Sequence, residues 1–174
     1  MSRITLITGG VRSGKSACAI ARASEYVAGS RRYLIATGEG LDDEMRERIA
    51  RHRASRPTDI HTIEEPLALA PALSALENCA DVAVVDCLTL WISNLLGRGR
   101  SDSEILAEAD SLVSVLASVE FSVVIVSDEV GWGIVPEHPI ARRFRDLLGW
   151  TNQKVAAVAE TVLLMVAGYP LRVK

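Results

Sequence analysis

Apolar residues in this chain fall into short unbroken runs separated by longer stretches in which apolar and polar positions alternate with a helical rhythm. Ile4-Thr5-Leu6-Ile7-Thr8, Val82-Ala83-Val84-Val85 and Val123-Val124-Ile125-Val126 are the clearest runs. A strand that is apolar on both sides suits a parallel sheet covered on both faces. The pattern predicts strands over 4–8, 32–37, 82–86, 122–127 and 161–166, with a short extra strand at 60–64. The tail from Tyr169 to Val173 can turn back as an antiparallel edge strand. Helices are predicted over 16–28, 42–55, 66–78, 88–96, 103–118 and 139–159. Pro66 and Pro139 are placed in first turns, where a missing N–H costs little. Ser101-Asp102-Ser103-Glu104 supplies a helix start. The repeated strand–helix order predicts an α/β fold with an open, mostly parallel sheet flanked by helices. At 174 residues, with no internal repeat and no linker, residues 1–174 are expected to form a single domain.

Composition narrows the partners. Hydrophobic residues make up 49% and charged residues 24%, so the chain buries a core rather than remaining disordered. A net charge of -3 and the lack of a basic, aromatic-studded face weigh against nucleic acid. No apolar stretch is long enough to span a bilayer. The first residues enter strand and loop at once, leaving no room for a signal peptide. Cys18, Cys79 and Cys87 have no metal-like spacing, and each sits in an apolar context. They read as buried small hydrophobes in a reducing compartment, so a cytoplasmic location is expected.

The chemistry begins at Gly9-Gly10-Val11-Arg12-Ser13-Gly14-Lys15-Ser16, which satisfies G-x-x-x-x-G-K-[ST] between a strand and a helix. Glycines let backbone N–H groups converge on a phosphate, and the helix that follows adds its positive end. Lys15 can reach the β- and γ-phosphates of ATP or GTP, and Ser16 can offer its hydroxyl to Mg²⁺. A carboxylate at a strand end usually completes such a metal site. Asp86 qualifies, and so do Asp128 and Glu129; spacing does not choose between them.

Residues 42–56 carry acids at one end (Asp42, Asp43, Glu44, Glu47) and arginines at the other (Arg48, Arg51, Arg53, Arg56). That gradient suits a surface helix, with His52 as a polar residue near its end. A chemical alternative is also physical: a neutral imidazole can attack phosphorus, and neighbouring arginines can bind a triphosphate.

Six blocks together resemble one family. They are Thr8–Ser16, Tyr33–Thr37, Leu41–Pro57, Val85–Leu96, Val126–Pro136 and Ala141–Asn152. In that order they are similar to the bifunctional adenosylcobinamide kinase/adenosylcobinamide-phosphate guanylyltransferases of cobalamin synthesis. The resemblance implies a RecA-like P-loop NTPase fold assembled as a homotrimer. It implies phosphorylation of adenosylcobinamide by ATP or GTP, then transfer of GMP from GTP to the phosphate product through a GMP–histidine intermediate. His52 matches the histidine, with Lys15 as the other catalytic residue. Nucleotide contacts carry over to Gly9, Gly10, Val11, Arg12, Ser13, Gly14, Lys15 and Ser16, and to Ala36, Thr37 and Gly38. They also carry over to Arg53, Ala54, Ser55 and Arg56, and to Glu64 and Asp86. Ser16 and Asp86 are the implied Mg²⁺ ligands. Two positions depart from the pattern: Asp128 stands where relatives often have Asn, and Trp132 where they often have Met. Trp132, between glycines, is a candidate cover for the large corrinoid or, equally, a partly buried loop aromatic. The competing readings are a plain small-molecule kinase, which would keep no α-phosphate on the protein, and a GTP-sensing or RecA-like module without turnover.

Overall fold

The computed structural model describes residues 3–26, 29–54 and 57–174, apart from the side chain of Arg48. Thirteen elements follow in the order β1 (Ile4–Gly9), α1 (Lys15–Ser24), β2 (Arg32–Ala36), α2 (Asp43–Ala54), β3 (Ile60–Glu64), α3 (Leu69–Ser74), β4 (Val82–Asp86), α4 (Leu88–Gly97), α5 (Asp102–Ser118), β5 (Ser122–Val126), α6 (Pro139–Val158), β6 (Thr161–Val166) and β7 (Tyr169–Arg172). All seven strands join one sheet in the order β3-β2-β4-β5-β1-β6-β7. Every pairing is parallel except β6 with β7, which is antiparallel. The α/β architecture, the extra strand at 60–64 and the turned-back tail are as the apolar pattern predicts.

The continuous apolar runs divide between two cores because successive strand residues face opposite sides. Ile4, Leu6, Ala83, Val85, Val123 and Ile125 join the larger core with Leu73, Trp91, Ile92, Ile105, Leu112 and Leu147 from α3 to α6. Ile7, Val82, Val84, Val124 and Val126 form the smaller core with Ala19 and Ala23 of α1. α5 begins with a reciprocal cap. Glu104 N donates to Ser101 Oγ at 3.3 Å and Ser101 N donates to Glu104 Oε2 at 2.8 Å.

Three local expectations differ. The helix predicted over 66–78 shrinks to Leu69–Ser74. Glu65 Oε1 accepts from Leu67 N (2.9 Å) and Ala68 N (2.7 Å), while Trp91 Nε1 and Asn94 Nδ2 take the carbonyls of Leu67 (2.8 Å) and Pro66 (3.1 Å). These bonds hold residues 66–68 outside the helix, so Pro66 is not a first-turn residue; Pro139 is. The helix predicted over 16–28 starts at Lys15 and ends at Ser24, and residues 27–28 lie outside the described ones. Cys79 is exposed rather than buried. Cys87 is nearer the expected buried small hydrophobe, and burial pushes its thiol up to about 12. No helix among the described residues is long and apolar enough to cross a membrane.

Candidate active site

The carboxyl ends of β1 to β6 form one edge, where open parallel sheets gather ligands. β1 leads into the glycine loop there. Gly9 has φ 147°, and a Cβ on it would lie 2.6 Å from the Met165 carbonyl oxygen of the neighbouring strand. Gly14 has φ 97° and stands as the N-cap of α1, with Cys18 N donating to its carbonyl at 3.0 Å. Only glycine adopts both conformations without strain. The loop is braced from a second direction. Gly168 N, in the turn between β6 and β7, donates to Ser13 O at 3.0 Å, and a Cβ on Gly14 would sit 3.3 Å from Gly168 Cα. Ser13 Oγ is buried with no hydrogen-bond partner among the described residues. A phosphate oxygen would satisfy it.

Lys15 is 9% exposed, and its Nζ reaches Gly10 O and Asp128 Oδ1, each at 2.6 Å. Asp128 comes from the end of β5, the strand beside β1. Glu129 is fixed next to it: its Oε1 accepts from Thr8 Oγ1 at 3.0 Å and its N donates to Gly9 O at 3.1 Å. Asp128 is therefore a carboxylate partner of the loop lysine. Asp86 stands half-buried at the end of β4, one strand further along.

Thr37 joins the ends of β2 and β4. Its hydroxyl donates to Cys87 O at 2.7 Å and accepts from Cys87 N at 2.8 Å, while its own N donates to Asp86 O at 3.1 Å. Asn94 Nδ2 donates to Thr37 O at 2.7 Å. Thr37→Val keeps the shape but strands a buried N–H and C=O. We expect a loss of about 2–4 kcal/mol in unfolding free energy, read by urea denaturation.

α2 lies against this edge rather than on a sheet face. None of its described residues is buried. Its last turn is tied to β3 by an Arg53–Glu64 ion pair. Gly38, Gly40, Arg46, Ile49, Ala50, Arg53 and Glu64 line a cavity of about 240 Å³ between them. His52 is exposed in that turn, and Ala54 ends the helix. Ser55 and Arg56 lie outside the described residues. Ala36, Thr37 and Gly38 follow one another at the end of β2, beside that cavity and next to β4.

The expected residues therefore form two groups on one edge. Gly9–Ser16, Asp128 and Glu129 gather at β1 and β5; Gly38, His52, Arg53 and Glu64 gather at β2 and β3. Four strand spacings separate β1 from β3, about 19 Å. Sequence reasoning missed Asn152 and Gly168. Asn152 Oδ1 accepts from Ser127 Oγ at 2.6 Å, and its Nδ2 donates to Asp128 O at 3.1 Å, which fixes the backbone before Glu129. Asn152 ends the Ala141–Asn152 block, so its signal was present. Gly168, followed by a strand and preceded by Ala167, reads only as a turn.

A glycine loop that presents a buried lysine at the carboxyl edge of a parallel sheet defines a P-loop nucleotide-binding protein. Within that class the chain belongs to the cobinamide kinase / cobinamide phosphate guanyltransferase family, whose pattern matches residues 5–173. It is 41% identical over 169 residues to the bifunctional adenosylcobalamin biosynthesis protein CobP of Pseudomonas aeruginosa, covering 97% of this chain and 96% of that protein. It is 39% identical to the bifunctional adenosylcobalamin biosynthesis protein CobU of Escherichia coli K12 and 37% identical to that of Salmonella typhimurium LT2. Each alignment covers 97% of this chain and 98% of the relative.

Proposed function

We propose that this chain phosphorylates adenosylcobinamide with ATP or GTP. It then transfers GMP from GTP to adenosylcobinamide phosphate, yielding adenosylcobinamide-GDP and pyrophosphate. The observation that carries this reading is the pair of groups on one sheet edge: a phosphate loop with a buried lysine, and a histidine among arginines. A plain kinase needs only the first.

In the kinase step the corrinoid hydroxyl attacks the γ-phosphorus, its proton leaves to a base, and the bond to the β-phosphate oxygen breaks. Lys15 leaves Asp128 for the incoming phosphate and offsets the charge that builds up on it. In the second reaction His52 attacks the α-phosphorus of GTP. A P–N bond forms, the P–O bond to the β-phosphate breaks, and pyrophosphate departs. A phosphate oxygen of the corrinoid then displaces His52. Arg53 and Glu64 border this group, and the Glu64 carboxylate is an acceptor suited to guanine N–H donors.

The donors present fit Mg²⁺. Among the described residues no three His, Cys, Asp or Glu side chains cluster as a closed metal cage. Mg²⁺ commonly takes one or two protein ligands and completes its shell with phosphates and water. Ser16 and Asp86 would hold it, and it would neutralise charge on the phosphates. The strand order supports a RecA-like reading, and the single sheet supports treating residues 1–174 as one unit. Homotrimeric assembly, by analogy with the family, and a cytoplasmic site of action, from the cysteine usage, complete the proposal.

The test is incubation of the protein with Mg²⁺ and GTP labelled at the α- or the γ-phosphate. Label from the α-position is expected to stay on the protein, to survive base and to be released by acid, as a phosphoramidate is. Retention of no label, or of γ-label only, would leave a kinase.

A further inference from the structure

Residues 130–136, between β5 and α6, leave the phosphate site with both ends fixed. At the start, Glu129 N donates to Gly9 O and Glu129 Oε1 accepts from Thr8. At the end, Arg142 Nη1 donates to Pro136 O at 2.9 Å and to Glu137 O at 2.5 Å. The span between carries apolar side chains turned to solvent: Trp132 is 76% exposed, Ile134 97% and Val135 59%. Val11, at the tip of the glycine loop, is 76% exposed as well. Exposed apolar groups are common singly; a run of them at the mouth of a polar site signals a binding surface.

What covers this surface follows from where it starts. On the proposed reading of the function, on which this inference rests, the acceptor hydroxyl must sit about 3–3.5 Å from the γ-phosphorus, hence beside Lys15. Asp128 touches Lys15, and the apolar span opens two residues later. An acceptor whose hydroxyl is held at Lys15 must lay the rest of its bulk over whatever borders that lysine. A corrin ring rimmed with methyl groups and amides matches an apolar, aromatic-bearing span better than the polar edge at Thr37 and Asp86. We infer that residues 130–135 are the docking surface for the corrin ring of the acceptor, with Trp132 and Ile134 as its anchors. An open loop also suits the task, since the ring must enter and leave while its hydroxyl is phosphorylated. At Gly131 and Gly133 an added Cβ would face open space among the described residues.

The test compares the full chain with W132A/I134A and W132F in the kinase assay. In W132A/I134A the KM for adenosylcobinamide should rise by about tenfold or more, as loss of an anchor residue does, with the nucleotide KM and the saturated kcat within about twofold. W132F should keep most of the affinity. Adenosylcobinamide absorbs in the region of tryptophan emission, so it should quench the wild-type fluorescence strongly. It should quench that of W132F less, by the share that Trp132 itself contributes, since Trp91 and Trp150 remain. Unchanged corrinoid KM and unchanged quenching in an enzyme that turns the corrinoid over would overturn the docking surface alone. A change of molar mass by light scattering in W132A/I134A would show instead a face between copies of the chain, and would also overturn it. A wild-type protein that binds no adenosylcobinamide would overturn the functional reading, and the docking surface with it.

Discussion

His52→Ala is expected to lower guanylyl transfer by at least about 10⁴-fold while the kinase step keeps most of its rate. Removing an attacking nitrogen deletes a covalent route entirely, and alanine offers no substitute. The kinase step uses a different attacking atom, the corrinoid hydroxyl, at Lys15. The last turn of α2 is tied to β3 and the glycine loop follows β1, four strands away in the sheet, so trimming an exposed imidazole at one does not disturb the other. Separate assays check this: transfer of γ-phosphate to adenosylcobinamide, and release of pyrophosphate from GTP with adenosylcobinamide phosphate. Circular dichroism and melting temperature should match the wild type, because no described residue of α2 belongs to either core. Equal loss of both activities in a folded variant would reduce His52 to a positioning residue.

Lys15→Ala is the second large effect. The kinase rate should fall by at least about 10²–10³-fold, the usual scale for removing a preorganised charge from a transferring group. The variant also leaves Asp128 without its partner beside the incoming phosphates, which adds repulsion to the loss of attraction. We expect guanylyl transfer to fall as well, because on the proposed reading one glycine loop seats the triphosphate for both reactions. Loss of the kinase step alone would mean that GMP is taken from a second nucleotide, held in the cavity beside Arg46, Arg53 and Glu64. Kd values for GTP, measured by calorimetry on both variants, distinguish weaker binding from slower chemistry.

Much of this was legible in the chain because the signals are local. A two-sided apolar run has few options besides a central parallel strand, so β1, β4 and β5 were visible as written. The glycine loop carries its own geometry in Gly9 and Gly14. What stayed hidden depends on partners far away in the sequence. The helix after Pro66 was overdrawn because Trp91 and Asn94, more than twenty residues on, take the carbonyls that an earlier start would have left to the helix. That Asp128 meets Lys15 needed the strand order, which placed β5 beside β1. Residue types alone could not place the helix that carries His52 beside β3, four strands from β1, since that separation is a property of topology.

The turn at Ala167-Gly168 gives the tail of the chain a share in holding the nucleotide. A shortened version ending before residue 167 would retain every letter of the Gly9–Ser16 motif, yet lose the floor under Ser13 and Gly14. Anyone trimming this domain to a minimal catalytic unit would have to keep the final hairpin, although it contributes no reactive atom.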